Sequence, residues 1–66
     1  MILIDRSIMP FGPHAGKIMA KVPAAWLEEF VSTAHDATEE NDAVFMYVQV
    51  NRRRIDAILD AQESHA

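Results

Sequence analysis

Few side chains in this 66-residue sequence have the types and spacing that catalysis, metal binding or phosphate binding requires. The histidines are His14, His35 and His65, and none has the His-x-x-x-His or His–carboxylate spacing typical of a metal site. The stretch His35-Asp36-x-x-Glu39 could bring an imidazole and two carboxylates around a cation. A helix-capping carboxylate in a solvated loop is the simpler interpretation, and we predict no metal site.

Nucleophilic and phosphate-binding patterns are also missing from the sequence. Ser7, Ser32 and Ser64 have no histidine and acid placed near them as a nucleophilic triad requires. Residues 12–17, GPHAGK, faintly resemble a phosphate-binding loop but lack its length and its Ser or Thr. The absence of cysteine excludes disulfides and Cys-ligated zinc. We therefore predict no catalytic residues, no cofactor and no enzymatic activity.

One basic run could contact phosphate. The candidate phosphate contacts are Lys17, Lys21, Arg52, Arg53 and Arg54. The favoured interpretation is a helix surface on which Arg52 and Arg53 pair with Asp56, one turn later. A net charge of −4 repels a phosphate backbone, so nucleic acid is the disfavoured partner.

A glycine-bounded turn is the first element that could position these residues. Gly12 and Gly16 bracket a three-residue insert, and glycine at such positions can take positive φ and reverse the chain. The pattern predicts a small β-hairpin over about residues 8–19, with arms at 8–11 and 16–19. Pro10 has no N–H, so its arm should lie at an edge.

A first helix is predicted over about residues 23–34, with Pro23 at its start. Its apolar stripe is Trp26, Leu27, Phe30, Val31 and Ala34. We interpret Trp26 as a core anchor rather than as a stacking platform for a base or ligand.

A second helix, the longest element, is predicted over about residues 39–63. Asp36 and Thr38 compete as its N-cap, and the acidic residues that follow suit the positive end of a helix. Its apolar stripe is interrupted by Asn51, whose amide should bond to backbone groups in the glycine turn or at the end of the first helix. Phe45, Met46 and Val50 lie outside the stripe, which predicts a self-interface.

These elements predict a single small α+β domain over residues 1–66: an N-terminal β-hairpin followed by two α-helices, the second long. The residues expected to hold the turn and core are Phe11, Gly12, Gly16, Pro23, Trp26 and Asn51. A core this small is near the lower limit for independent stability. The sequence has neither a signal-peptide pattern nor an apolar run long enough to span a bilayer, so we expect a cytoplasmic protein.

The turn and the helix that follows resemble a known family. Met9-Pro10-Phe11-Gly12, then Gly16-Lys17, Val22-Pro23 and Ala25-Trp26-Leu27 resemble small bacterial and phage proteins labelled quorum-sensing-regulated virulence factors. That family's pattern is M-P-F-G-K-x-K-G-K followed by V-P-x-x-Y-L-x-W. A similar module ends exonuclease-X-like proteins.

The resemblance extends over about residues 8–59, because Tyr47-Val48 and Asn51 are similar to the family's Y-[IV]-x-x-N stretch. It implies a hairpin followed by helices and implies no activity. Pro13 and Ala15 stand where the family has lysines, and Glu29 stands where it has its second aromatic residue. If the family's turn contacts phosphate, Lys17 is the lysine that this chain retains.

Together these observations favour a non-enzymatic interaction module. We expect it either to form a homo-oligomer, specifically a dimer, or to dock on a protein partner. The alternative is an accessory nucleic-acid-associated domain that uses the local Lys/Arg patch.

Overall fold

The computed structural model describes residues 1–33 and 35–64, so the predictions for Ala34 and His65 lie outside the described residues. Three α-helices form most of the chain, and a 3₁₀ turn at Met19–Lys21 precedes them. The helices are α1 (Ala24–Ser32), α2 (Glu39–Val50) and α3 (Arg52–Ser64). Helix α1 packs against both α2 and α3.

The predicted α+β class and its β-hairpin are wrong. The described part of the chain contains no strand and no sheet, and its one β-bridge is an isolated antiparallel pair, Ile8 with Ile18. Gly12 and Gly16 do take positive φ, 79° and 90°, and the chain reverses between them. The ladder does not continue past this bridge because Lys17 N donates to His14 O instead of Met9 O on one side, and the 3₁₀ turn begins directly after Ile18 on the other.

The single long second helix is also wrong, because it is divided at Asn51. The Asn51 side-chain Nδ2 donates to the backbone oxygen of Tyr47 at 2.9 Å, one turn back, and not to the glycine turn or to α1. An amide that bonds to its own helix competes with the regular backbone ladder and favours a bend. The two backbone bonds at this residue end α2 and begin α3: Asn51 N donates to Tyr47 O at 3.1 Å, and Asn51 O accepts from Ile55 N at 3.0 Å.

The start of α2 is set by Thr38 rather than by Asp36. The Thr38 hydroxyl accepts a hydrogen bond from the backbone N–H of Asn41 at 3.1 Å, which satisfies one of the free donors of the first turn. The side chain of Asn41 in turn donates to the backbone oxygen of Asp36 at 2.8 Å. The cap thus fixes both the first residue of α2 and the path of the loop before it.

The core lies where α1 packs against α2 and α3. It is covered by the loop bounded by Gly12 and Gly16, here called the glycine loop. Its most buried members are Met9, Met19, Val44 and Val48. The remaining buried apolar residues of the cluster are Val22, Ala24, Leu27, Phe30, Tyr47 and Ile55. Both methionines come from the N-terminal loop, so the loop is part of the core rather than an appendage.

An aromatic cluster joins the glycine loop to α1. The ring of Phe30 lies 5.6 Å from the rings of both Phe11 and Trp26, centroid to centroid. Trp26 is half-buried at the edge of the core, and the His14 ring meets it edge-on at 5.6 Å. Gly12 lies so close that a Cβ there would be 3.2 Å from Cζ2 of Trp26.

We predict that Gly12→Ala destabilises the protein more than Gly16→Ala does. Both substitutions put a Cβ on left-handed backbone, which costs about 1–2 kcal/mol. Only at Gly12 would that Cβ also press on Trp26, since the Cβ at Gly16 would meet nothing within 4 Å. Urea unfolding followed by fluorescence of the single tryptophan measures both losses. Equal losses would show that the Gly12–Trp26 contact contributes nothing.

Candidate interaction surface

A hydrogen-bonded ion pair attaches the first residues of the chain to α2 and α3. One carboxylate oxygen of Asp5 accepts from the Tyr47 hydroxyl at 2.7 Å and from Nη2 of Arg54 at 2.7 Å. Its other oxygen accepts from Nη1 of Arg54 at 2.8 Å. Arg54 Nη2 also donates to the Tyr47 hydroxyl at 2.9 Å, so the three side chains form one closed network.

A second anchor fixes the direction of this segment, residues 1–5, here called the N-terminal ribbon. The amino group of Met1 donates to Oε1 of Glu39, in the first turn of α2, at 3.0 Å. Asp5 is held at Tyr47, two turns further along the same helix. Four extended residues and eight helical ones both span about 12–13 Å. The ribbon therefore runs along α2 in the same direction as the helix.

Side chains of residues 2–5 alternate in exposure, as expected for extended backbone, while Met1 at the start of the ribbon is 57% exposed. Leu3 packs against the core, whereas Ile2 is 89% exposed and Ile4 is 55% exposed. From sequence, residues 1–8 are an apolar tail or short strand anchored by Ile2, Ile4 and Ile8, an interpretation that did not predict the exposure of Ile2 and Ile4. Because residues 1–4 are all apolar, the sequence carries no alternation that distinguishes Leu3 from the exposed Ile2 and Ile4.

The three residues predicted as a self-interface separate into two groups. Met46 is 60% exposed and Val50 is 79% exposed, one turn apart on the edge of α2 beside the ribbon. Successive helical residues point about 100° apart, which turns Phe45 toward the other edge. There it lines a hollow with Phe30 and His35 between α1 and α2. We name the group Ile2, Ile4, Met46 and Val50 the apolar face.

The predicted basic patch is partly engaged inside the molecule. Arg52 donates to Glu28 on α1 and, at 3.3 Å, to Asp56, the partner predicted for it. Arg54 is held by Asp5. Lys17, Lys21 and Arg53 are exposed, and none of them makes an ion pair with another residue of the described chain.

The histidines that the structure describes lie against aromatic rings. His14 meets Trp26 edge-on rather than standing free at the turn tip, and the His35 ring stacks on Phe30 at 4.1 Å. Within residues 1–33 and 35–64, no three His, Asp or Glu side chains lie close enough together to hold a metal ion.

The network at Asp5 shifts the pKa values of its members in opposite directions. Hydrogen bonds from Arg54, and then from Tyr47, hold the pKa of the Asp5 carboxyl well below its usual range. Burial, and then the bond to Asp5, raises the pKa of Tyr47. At neutral pH the network therefore contains an ionised carboxylate and a neutral phenol.

Comparisons of this chain with protein-family models, with curated proteins and with solved structures give no match. The family resemblance of the glycine loop stays a prediction. No helix among the described residues combines the length and the hydropathy that crossing a membrane requires.

We predict that the protein loses stability below about pH 4 and that Asp5→Asn removes part of this loss. Because the Asp5 pKa is depressed in the folded state, the unfolded chain takes up the proton first as the pH falls. The contribution of the ionised carboxylate is thus fully present above the ordinary aspartate pKa of about 3.9 and disappears below it.

Thermal unfolding of both proteins between pH 7 and pH 2.5 tests this. The wild type should be the more stable protein at pH 7, and the difference should shrink through the acid range. Curves that stay parallel would show that Asp5 is not linked to folding.

Proposed function

We propose that this protein is a non-enzymatic interaction module that forms a homodimer through the apolar face. One observation carries the proposal: Ile2 and Ile4 of the ribbon, which is tied to α2 at both ends, and Met46 and Val50 of α2 are each more than half exposed. Contiguous exposed apolar surface of this kind typically marks an interaction site.

The size of the chain supports a partner as well. A 66-residue domain buries a small core, and such domains often gain stability from oligomerisation. A standard interface covers about 800 Å² on each partner. That is roughly one sixth of the 4583 Å² surface of this chain, an area that one side of the molecule can supply.

The nucleic-acid alternative has less support from the contacts. Phosphate binding by the basic run would compete with Glu28 and Asp5 for Arg52 and Arg54. Of the candidate phosphate contacts, Lys17, Lys21 and Arg53 would be available without breaking an ion pair of the described chain. A cytoplasmic setting, expected from the sequence, belongs to the proposal.

We predict that Met46→Glu and Val50→Glu each weaken the dimer on the order of tenfold or more, because each would bury a carboxylate in an apolar contact. Both side chains point outward, so the monomer should keep its helical content. Sedimentation equilibrium over a range of concentrations gives the dissociation constants, and circular dichroism checks the fold.

Ala25→Glu is the matched control, since it adds the same charge at an exposed position of α1, outside the apolar face. It should leave the dimer unchanged. A wild type that stays monomeric at the highest concentrations would contradict the proposal. DNA binding by that monomer, measured by fluorescence anisotropy at low and moderate salt, would support the alternative.

A further inference from the structure

The apolar residues of α2 lie between one acid and one base. Asp42, Met46, Val50 and Arg53 follow one another at intervals of four, four and three residues. Such intervals keep side chains on one face of a helix. Arg53 follows the break at Asn51 and lines the same hollow as Val50, which places it at the other end of the apolar pair. We call these four residues the outer stripe.

The charges at the two ends of the outer stripe are exposed and have no ion-pair partner within the described residues. Three neighbouring charges are engaged instead. Glu39 is bonded to Met1, Arg52 to Glu28 and Arg54 to Asp5. Asp42 and Arg53 are therefore left as complementary charges that frame an apolar centre.

From this order we infer that the occupant of the apolar face is a second copy whose α2 runs antiparallel to the first. Asp42 of each copy then faces Arg53 of the other across a two-fold axis. The inference rests on the proposed homodimer and adds its orientation. The ligand of the apolar face is therefore the outer stripe of a second copy, in which the order acid, apolar, apolar, base runs in the opposite direction.

The spacing fits a two-fold arrangement. Asp42 lies four residues before Met46, and Arg53 lies three residues after Val50. The midpoint of the charged pair and the midpoint of the apolar pair thus differ by half a residue in sequence, so the two charges lie at opposite ends of the apolar pair. When the apolar side chains of two antiparallel copies meet, the opposite charges meet as well.

Electrostatics also selects the direction. Two parallel copies would set Asp42 against Asp42 and Arg53 against Arg53, and like charges placed opposite each other are repulsive. Exposed ion pairs contribute little affinity, so the apolar contact holds the dimer while the charges choose its orientation.

Charge reversal tests the orientation. We expect Asp42→Lys and Arg53→Glu each to weaken the dimer on the order of tenfold, because two-fold symmetry replaces both attractive pairs by repulsive ones. The double variant should recover wild-type affinity, since each new lysine faces a new glutamate. An equimolar mixture of the two single variants should form a heterodimer of near wild-type affinity, which shows that the pairs are between copies.

Glu40→Lys is the control for Asp42→Lys. It makes the same charge change in the same helical turn, but two residues away along α2, and therefore on the opposite side of the helix. It should leave the dissociation constant unchanged. Sedimentation equilibrium on all variants, at low and at moderate salt, measures these constants.

The outcomes separate this inference from the proposal beneath it. A monomeric wild type overturns both. A wild-type dimer that Met46→Glu weakens, but that neither single charge reversal affects, overturns the antiparallel arrangement and leaves the homodimer standing. Failure of the double variant to recover affinity, with its helical content intact, also overturns the pairing of Asp42 with Arg53.

Discussion

The carboxylate of Asp5 is the point on which the arrangement of this small protein depends. It joins the ribbon, to which it belongs, to α2 through Tyr47 and to α3 through Arg54. Its paired hydrogen bonds to the guanidinium fix orientation as well as distance. Because Asp5 is held at Tyr47, the backbone before it must follow α2, and the alternation of the ribbon then exposes Ile2 and Ile4. The apolar face is thus a consequence of a polar contact.

The break at Asn51 has a related role in shaping the core. A straight helix over residues 39–63 would be about 37 Å long, more than the 34 Å longest extent of the molecule. It would also run far past α1, which has nine residues. The bend lets α1 pack on both halves and brings Arg54 back toward Tyr47. The bend at Asn51 therefore allows the short helix α1 to pack against both α2 and α3.

Patterns among neighbouring residues in the sequence predicted the structural features that contacts between those neighbours determine. Apolar spacing predicted helical structure around Trp26 and Val44, and glycine at 12 and 16 predicted the chain reversal. The prediction of a β-hairpin was wrong because an isolated β-bridge beside a proline and a short β-hairpin have nearly the same sequence pattern. Two further features have no such signature. Arg54, the partner of Asp5, is 49 residues away in the sequence. The Asn51 side-chain amide bonds to the Tyr47 carbonyl in its own helix rather than to more distant groups.

The arginine run shows why composition alone misleads about surfaces. Three consecutive bases suggest a single patch, but successive helical side chains point about 100° apart, so a run of three cannot share one face. Arg52 turns to Glu28 on α1, Arg54 turns to Asp5 in the ribbon, and Arg53 is left facing outward. Two of the three charges therefore hold neighbouring elements in place. The third lies beside Val50 at the end of an apolar surface, where a single unpaired base is better suited to orienting a protein partner than to binding a phosphate backbone.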